Sequence, residues 1–270
     1  MKRNKTPTIG LLAGLALVIW SITMDGDINN FIHIPSFIIT VLGSFCALLI
    51  CFPPKTIKNL PNTFKALWFT PKGNNIELVL LFSELAKKAR RDGLLALEDD
   101  INELDNEFLV SGLQMVVDGV EPHNIKEILE IKLDAIERRH RMGQDVLLKW
   151  GELAPAFGML GTLIGLIIML AKLDDASTIG AGMATALITT FYGSLFANLI
   201  FIPIASNLGE QTDEEMYIGQ MIIDGILEIQ AGSNPRLLEE KLMAYLSPSE
   251  QKALRQSKED DSKREAGYYE

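Results

Sequence analysis

Hydroxyl and amide side chains recur inside two of the most apolar stretches of this chain. One stretch contains Thr162, and the other contains Thr189 and Thr190, followed by Ser194 and Asn198. Residues 190, 194 and 198 are four apart, so a helix carries them along one side. Unpaired polar groups are costly in hydrocarbon, so such groups face other helices, water or an ion. The chemistry on offer is therefore hydrogen bonding between helices or solvation of a cation by oxygen atoms.

These polar residues can be explained in two ways: they pack the helices of a bundle against each other, or they line a path for an ion. Gly161 and Gly165 are spaced for close helix contact around Thr162, and hydroxyls often bond across membrane helices. For any one threonine, packing is the favoured interpretation. Thr185 and Thr189 form a second pair beside this stripe. For the stripe as a whole, a lining that faces water, an ion or a partner helix is at least as well supported as packing.

Two prolines occupy related positions in the same stretches. Pro155 lies near the start of one and Pro203 near the end of the other. A proline inside a helix removes a backbone hydrogen bond and kinks the helix. The pair is therefore either two static kinks or a paired hinge that responds to an event in the membrane.

Four apolar stretches without a charged residue position these side chains. Each is close to the length of about 20 residues that a helix needs to cross a bilayer. They come as two pairs separated by a charged segment, which predicts an all-α integral membrane protein with four transmembrane helices in two pairs and a helical cytoplasmic insert. The predicted spans are Pro7–Met24, Ile34–Phe52, Leu153–Ala171 and Ala181–Leu208.

Charged residues beside the spans predict the orientation, because Lys and Arg concentrate on cytoplasmic flanks. Lys2, Arg3 and Lys5 precede the first span, whereas the connection after it has acidic residues and no Lys or Arg. Basic residues return after the second span, and Lys172 is the one mild conflict. Both termini are therefore expected in the cytoplasm. The first stretch also resembles a signal peptide, but without a clear cleavage site we expect a retained helix.

The remaining segments are expected to be water-facing helices followed by a disordered tail. The predicted division is 1–53 for the first two spans, 54–150 for a cytoplasmic helical domain, 151–208 for the last two spans, 209–246 for a cytoplasmic helical extension and 247–270 for the tail. No strand pattern occurs. The predicted helices are Ile76–Arg91, Leu94–Leu104, Glu107–Val117, Asn124–Trp150 (its apolar side carrying Ile125, Ile128, Ile131, Ala135 and Ile136), Asn207–Gln230 and Pro235–Tyr245.

A cluster of both charge signs lies in the insert. Basic residues, including Arg90, precede Gly93, and acidic residues, including Glu98, follow it. A solvated helix face is the usual explanation. The alternative is a docking surface in which complementary charges set register and association rate.

Composition and motifs exclude several classes of function. The 270 residues carry a formal net charge of −10, which argues against a nucleic-acid-binding protein. The three histidines are scattered without metal-ligand spacing, and the two cysteines both lie in the second span, so neither a metal site nor a disulfide framework is expected. No nucleotide-binding or hydrolase motif occurs. We expect no catalytic residue and no cofactor, and an ion gradient is the available source of energy.

The runs Ala154–Leu166 and Ala186–Gly193, with the later Asn198 and Pro203–Ala205, resemble the A subunit of the flagellar motor stator, the MotA/PomA family. The order of spans, the insert between the pairs, and Arg90 with Glu98 fit the same family. The resemblance covers nearly the whole chain except the tail.

The resemblance implies a cation-conducting assembly of five A subunits around two B subunits, which supply an intramembrane aspartate. Passage of H⁺ or Na⁺ then drives torque on the rotor protein FliG. It implies that Thr162, Thr189 and Thr190 line the ion path, that Pro155 and Pro203 couple ion binding to helix movement, and that Arg90 and Glu98 meet the rotor. Threonines at these places resemble sodium-driven members, whereas proton-driven members often have alanine at some of them.

Two other functions compete with the stator. An energiser of the ExbB/TolQ type, which powers an outer-membrane system, is expected to have three spans and an external amino terminus. A passive membrane scaffold, in which the threonine stripe only packs, is the other alternative.

Overall fold

Helices account for nearly all of the structure, a computed structural model that describes residues 2–3, 6–66, 69–70, 75–171 and 176–266. Four helices in this part of the chain are long and apolar enough to cross a membrane. They agree with the four predicted spans in number and position. Their bounds are Thr6–Met24, Ile34–Cys51, Pro122–Leu170 and Ile179–Gln230.

The chain divides into two compact units. The first, which we call the membrane unit, comprises residues 1–71 and 138–212, and so contains the four predicted spans. Its elements are β1 (Lys2–Arg3), α1 (Thr6–Asp25), a 3-10 turn (Ile28–Phe31), α2 (Ile34–Phe37), a π-helical segment (Ile38–Leu42), α3 (Gly43–Cys51), α4 (Pro54–Lys58), α5 (Leu60–Ala66), β2 (Phe69–Thr70), the later part of α9 (Pro122–Leu170), α10 (Ala176–Leu195), a second π-helical segment (Phe196–Phe201) and the start of α11 (Ile202–Gln230).

An aromatic and aliphatic cluster holds one end of the membrane unit together. The indole of Trp150 stacks on the ring of Phe201 with centroids 4.2 Å apart, and Leu48, Leu147 and Ala154 are buried beside them. One small feature has no counterpart in the predictions: β1 and β2 form a two-stranded antiparallel pair with two residues in each strand.

The second unit, which we call the insert unit, comprises residues 72–137 and 213–270. Segments predicted as a separate insert and extension therefore share one core. A continuous α9 agrees with the prediction that the long charged helix runs directly into the third span, and α11 likewise continues from the fourth. The other elements are α6 (Asn75–Asp92), a 3-10 turn (Leu94–Leu97), α7 (Glu98–Ile101), α8 (Glu107–Val117), α12 (Pro235–Met243) and α13 (Pro248–Ala266).

The core of the insert unit is built where large side chains meet glycines. Phe82 is fully buried, and a Cβ placed on Gly225 would lie 2.6 Å from its ring. Gly112 likewise faces Ile226, with 2.2 Å between the added Cβ and that side chain. Each glycine thus makes room for a large neighbour, so these helices pack closely around one apolar cluster.

The buried side of α9 differs from the predicted one. Ile125, Leu129 and Leu133 face the core, whereas Ile128 and Ile131 are 40% and 60% exposed. Residues four apart lie on one helical face, and the buried set follows that spacing from residue 125. The sequence analysis assigned the isoleucines to the buried side and overlooked Leu129 and Leu133, which lie among charged residues.

The carboxyl-terminal segment differs from the disordered tail expected for 247–270, because α13 covers most of it. The Ser247 hydroxyl accepts from the backbone N–H of Glu250, whose carboxylate accepts from the N–H of Ser247 at 2.8 Å, as in a capping box. Leu254 is fully buried in the core of the insert unit. The cap and one apolar anchor explain why a charged segment is helical.

A half-buried hydroxyl joins the turn after α12 to α11 in the insert unit. The Tyr245 hydroxyl donates to Asp224 Oδ2 at 2.5 Å, and its ring lies 5.1 Å from that of Tyr217. Burial, followed by this hydrogen bond to Asp224, raises the pKa of Tyr245 to about 12. The phenol therefore stays protonated at physiological pH and keeps the hydrogen bond.

Truncation of Phe82 tests the importance of this core. We expect Phe82→Ala to destabilise the protein by about 3–5 kcal/mol, because a large cavity replaces a fully buried ring. Thermal unfolding in detergent, followed by circular dichroism, measures the loss. Leu237→Ala is the control, because Leu237 is 51% exposed in the same unit. Equal melting temperatures for the two variants would contradict the proposed packing.

Candidate functional site

The third and fourth spans approach each other almost backbone to backbone. In the third, formed by the end of α9, a Cβ added to Gly165 would lie 2.5 Å from the carbonyl oxygen of Gly182 in α10. Further along, a Cβ added to Gly193 would lie 2.7 Å from the carbonyl oxygen of Ala154. No larger side chain fits at these points, so the glycines fix how the two spans align.

Two of the three predicted path residues meet at the edge of this contact. Thr162 Oγ1 lies 2.6 Å from Thr190 Oγ1, and each hydroxyl lies 3.3 Å from the carbonyl oxygen of Ala186. Thr190 is exposed and Thr162 is half-buried. Three oxygen atoms thus cluster at a position that another chain, water or an ion can reach.

Thr189, the third predicted path residue, lies inside the subunit. Its side chain is fully buried, and its hydroxyl lies 2.9 Å from the Thr185 carbonyl oxygen and 3.0 Å from that of Ala186. A Cβ added to Gly161 would lie 2.4 Å from the Thr189 methyl group. Thr189 therefore fills the space between the two spans and is absent from the open face that Thr190 occupies.

The exposed side of the fourth span is polar. Thr190, Ser194 and Asn198 are all exposed, as their four-residue spacing predicts for one helical face. The Asn198 amide donates to the Ser194 carbonyl oxygen at 2.9 Å, within its own helix. A polar stripe on a membrane-spanning helix needs a polar surrounding, so this face is suited to a partner helix or water.

The two prolines lie on neighbouring helices. A Cβ on Gly193 would lie 3.0 Å from Pro155 Cα, and a Cβ on Gly151 would lie 2.7 Å from the side chain of Ile202, which precedes Pro203. Gly193 lies opposite Pro155, and Pro203 comes ten residues later in the fourth span, so the prolines are separated along the spans by more than one helical turn. Pro155 also removes the backbone bond that the Gly151 carbonyl would otherwise accept.

Pro203 follows an irregular turn and lines a cavity. The π-helical segment Phe196–Phe201 ends two residues before it, and such wide turns often occur where a helix accommodates a proline or a functional group. The cavity has a volume of about 240 Å³ and lies between α1 and the fourth span. Its lining residues are Pro7, Gly10, Leu11, Leu199, Pro203, Ile204 and Asn207.

A second polar stripe, in the second span, was missed by the sequence analysis. Ser36, Thr40 and Ser44 are fully buried. Ser36 donates to the Thr185 carbonyl oxygen at 3.4 Å, and Thr40 donates to the Thr189 carbonyl oxygen at 3.3 Å. Ser44 accepts from an indole N–H of α9 at 3.0 Å. Their spacing of four residues in an apolar helix was the available signal.

The second and fourth spans are also joined just before the second span begins. Tyr192 donates a hydrogen bond to the Phe31 carbonyl oxygen and accepts one from the backbone N–H of His33 at 3.2 Å. His33 Nδ1 in turn accepts from the Ser36 backbone N–H and so caps α2. These bonds fix where the second span begins relative to the fourth.

The structure places Arg90 and Glu98 on either side of a sharp turn in the insert unit. Both side chains are exposed, and neither has an ion pair within the described residues. Gly93, with φ +89°, makes the turn. Lys88 and Asp100 form an ion pair of 2.7 Å across it. The predicted rotor-facing residues are thus both exposed beside the turn, and they do not pair with each other.

Arg91 differs from Arg90 because its charge is engaged locally. Its guanidinium donates to both carboxylate oxygens of Asp92 at 2.8–3.0 Å. This hydrogen bonding lowers the pKa of Asp92, and the same contact raises the pKa of Arg91. Arg90 therefore provides a more available positive charge beside the turn.

Within the described part of the chain, no group of three or more His, Cys, Asp or Glu side chains is arranged to hold a metal ion. The oxygen atoms of Thr162, Thr190 and Ala186 are the polar groups that the two spans place together. Neutral oxygens of this kind can solvate a cation, but they provide no titrating group.

Comparison with known proteins places the chain in a family. A sequence profile described as the MotA/TolQ/ExbB proton channel family matches residues 100–221. Motility protein A of Treponema pallidum is 43% identical, over 91% of this chain and 95% of its own length. The chain belongs to the MotA/TolQ/ExbB proton channel family. Chemotaxis protein PomA of Vibrio alginolyticus is 35% identical, over 88% of this chain and 94% of its own length.

Solved structures of MotA/TolQ/ExbB members have the same fold. The flagellar MotAB stator complex from Bacillus subtilis contains a chain similar to this one, with a TM-score of 0.86 and 32% identity, covering 92% of this chain and 98% of that one. The C. jejuni MotAB structure gives a TM-score of 0.84 and 30% identity, covering 91% of this chain and 96% of that one.

These similarities confirm the predicted resemblance to the MotA/PomA group and its function as a flagellar stator subunit. They also confirm the predicted all-helical membrane fold, and membership in a channel family confirms that the protein is not an enzyme. Four span-length helices within the described residues differ from the three expected of an ExbB/TolQ energiser. The match to a proton channel family argues against a passive scaffold.

A single methyl group at Gly165 tests the contact between the third and fourth spans. We expect Gly165→Ala to destabilise the protein by about 1–3 kcal/mol, because the new Cβ would overlap backbone atoms of α10. Thermal unfolding in detergent measures the effect. Gly10→Ala is the matched control, because a Cβ on Gly10 meets no atom within 4 Å. Equal effects of the two substitutions would exclude a close backbone contact.

Proposed function

We propose that this chain surrounds the membrane helices of a B subunit and uses a cation gradient to turn the flagellar rotor. In this proposal five A subunits enclose two B subunits, and each B subunit provides an intramembrane aspartate. Flow of H⁺ or Na⁺ past that aspartate rotates the A subunits, whose insert units push the rotor protein FliG. The two related structures are named as MotAB, which supports a B-subunit partner.

The observation that carries the proposal is a polar face without an acid. Thr190, Ser194 and Asn198 are exposed along one side of the fourth span, yet the apolar cores of all four spans lack Asp and Glu. A buried carboxylate in a membrane costs about 2.5–3.5 kcal/mol on insertion scales and is usually functional. A partner that supplies the acid gives this polar face both a neighbour and a role.

Within this proposal the three predicted threonines have two different roles. Thr162 and Thr190 line the ion path, because their hydroxyls meet at the open edge between the spans. Thr189 supports the path from inside, because its hydroxyl and its carbonyl oxygen are both hydrogen-bonded within the subunit. Hydroxyl and carbonyl oxygens can replace part of the hydration shell of Na⁺, and the pair also suits relay of a proton through water.

The two prolines couple ion binding to movement. One charge that crosses a potential of 100 mV releases about 2.3 kcal/mol, enough to shift an equilibrium between helix shapes that differ by a few kcal/mol. Pro155 and Pro203 each lack the backbone N–H of a regular helical hydrogen bond, so a change of helix shape at these positions breaks fewer such bonds.

The proposal places both termini, residues 54–150 and residues 209–246 in the cytoplasm. Basic residues precede the first span and follow the second, whereas the short connection between them has none. Membrane lipid then surrounds the apolar sides of the spans. Arg90 and Glu98, which are exposed beside the turn at Gly93, face the rotor in this arrangement.

Swimming speed measured against sodium concentration, in cells that depend on this chain and its B subunit, tests the coupling to a cation. A protonophore is added in a parallel series. We expect speed to follow sodium if Na⁺ is the coupling ion and to fall with the protonophore if it is H⁺. Swimming that responds to neither treatment would contradict the proposal.

Two neighbouring threonines provide a matched comparison in the same assay. Thr190→Val should shift the cation concentration for half-maximal speed, because it removes a hydroxyl from the open cluster. Thr189→Val should lower thermal stability and leave that concentration unchanged, because Thr189 is fully buried. The reverse result would remove Thr190 from the path.

Replacement of Pro155 tests the hinge. Pro155→Ala restores a backbone N–H that can donate a hydrogen bond to the Gly151 carbonyl oxygen, which straightens the helix. We expect this variant to insert normally into the membrane and to lose motility. Immunoblots of membranes and swimming assays measure the two outcomes. Pro248→Ala is the control, because Pro248 begins α13 in the insert unit. Normal swimming of the Pro155→Ala variant would count decisively against a hinge at this position.

A further inference from the structure

Leu95 is an exposed leucine on the surface of the insert unit. It is 73% exposed, the highest value for a large apolar side chain among the described residues of that unit. Its neighbours in the same short 3-10 turn point the other way: Leu97 is fully buried, and Leu94 packs against the core. The turn thus uses two leucines for stability and leaves the third in contact with solvent.

The backbone around Leu95 is held in place before any partner binds. Gly93 adopts φ +89°, and its N–H donates to the Ala89 carbonyl oxygen at 3.0 Å. The Gly93 carbonyl oxygen accepts from the N–H of Ala96 at 3.2 Å. The Lys88–Asp100 ion pair joins the helices on the two sides of the turn. A side chain presented on a fixed turn loses little further conformational entropy when it is buried by a partner.

Charged residues of both signs flank Leu95 in the sequence. Arg90 precedes it at the end of α6, and Glu98 and Asp99 follow it at the start of α7; all three are exposed. Within the described residues none of the three forms an ion pair. An apolar centre with a polar, charged rim is the usual arrangement of a protein–protein binding site.

We propose that Leu95 is the apolar anchor of the surface that engages the rotor protein. Its side chain enters an apolar socket on the rotor, with a carboxylate opposite Arg90 and a cationic group opposite Glu98. The inference rests on the proposed stator function and adds to it the source of binding energy. The charges set orientation and association rate, whereas desolvation of Leu95 slows release of the rotor.

A matched pair of substitutions tests this role. Stator complexes that contain both subunits are placed in lipid nanodiscs, and binding of purified rotor protein is titrated. Leu95→Ala should raise the half-saturating rotor concentration about 5- to 30-fold, the range for loss of a binding hot spot. Leu95→Met, which conserves volume, should bind within a few-fold of the unmodified complex. Leu237→Ala, at another exposed leucine of the same unit, should have no effect.

Two further readouts separate the possible failures. Cation uptake by cells that express each variant should stay unchanged, because Leu95 belongs to the insert unit and the spans belong to the membrane unit. A photo-crosslinking residue at position 95 in intact cells should capture the rotor protein. Capture of another copy of this chain or of lipid, or equal rotor binding by the Leu95→Ala and Leu237→Ala variants, would overturn the assignment of Leu95 and leave the stator function intact. Absence of cation uptake and motility in the unmodified complex would instead overturn the stator function.

Discussion

The close approach of the third and fourth spans is the constraint on which the candidate site depends. Gly165 and Gly193 allow backbone atoms of one span to touch those of the other, and neither position has space for a methyl group. Lipid provides no hydrophobic force between helices, so such contacts and interhelical hydrogen bonds must hold the spans together. With the alignment fixed, Thr162 and Thr190 are brought to hydrogen-bonding distance.

The polar groups of the membrane unit divide into two sets by their surroundings. Ser36, Thr40 and Thr189 are fully buried and donate to backbone carbonyl oxygens, so they stabilise the unit itself. Thr190 and Ser194 belong to the exposed side of the fourth span. The first set satisfies the requirement that polar groups in hydrocarbon be paired. The second set leaves that requirement to be met by another molecule.

The sequence was sufficient for the spans, because a charge-free apolar run of membrane-spanning length has few other solutions. It also indicated that Thr190, Ser194 and Asn198 share a side, since that follows from helical spacing alone. It did not separate Thr189 from Thr190. Adjacent residues on a helix differ by about 100° in direction, and which of the two faces the interior depends on where the neighbouring span packs.

Similar reasons explain the other differences in the insert unit. The buried side of α9 uses Leu129 and Leu133, which lie among charged residues, so a search for isoleucines gave the wrong face. The helix α13 depends on the Ser247–Glu250 cap and on Leu254, which finds a place in a core assembled from distant segments. Composition alone describes such a segment as polar. One leucine can hold this helix because the folded insert unit provides an apolar core in which it is buried.

The π-helical segment Phe196–Phe201 has a geometric consequence for the fourth span. A wide turn contains one residue more than a regular turn, so the helical faces before and after it are out of phase. The half before the wide turn can therefore direct its polar side towards one neighbour, while Pro203 and Ile204, after the turn, line the cavity beside α1. The fourth span can thus contact one neighbour with its polar side and α1 with another side while it stays helical throughout.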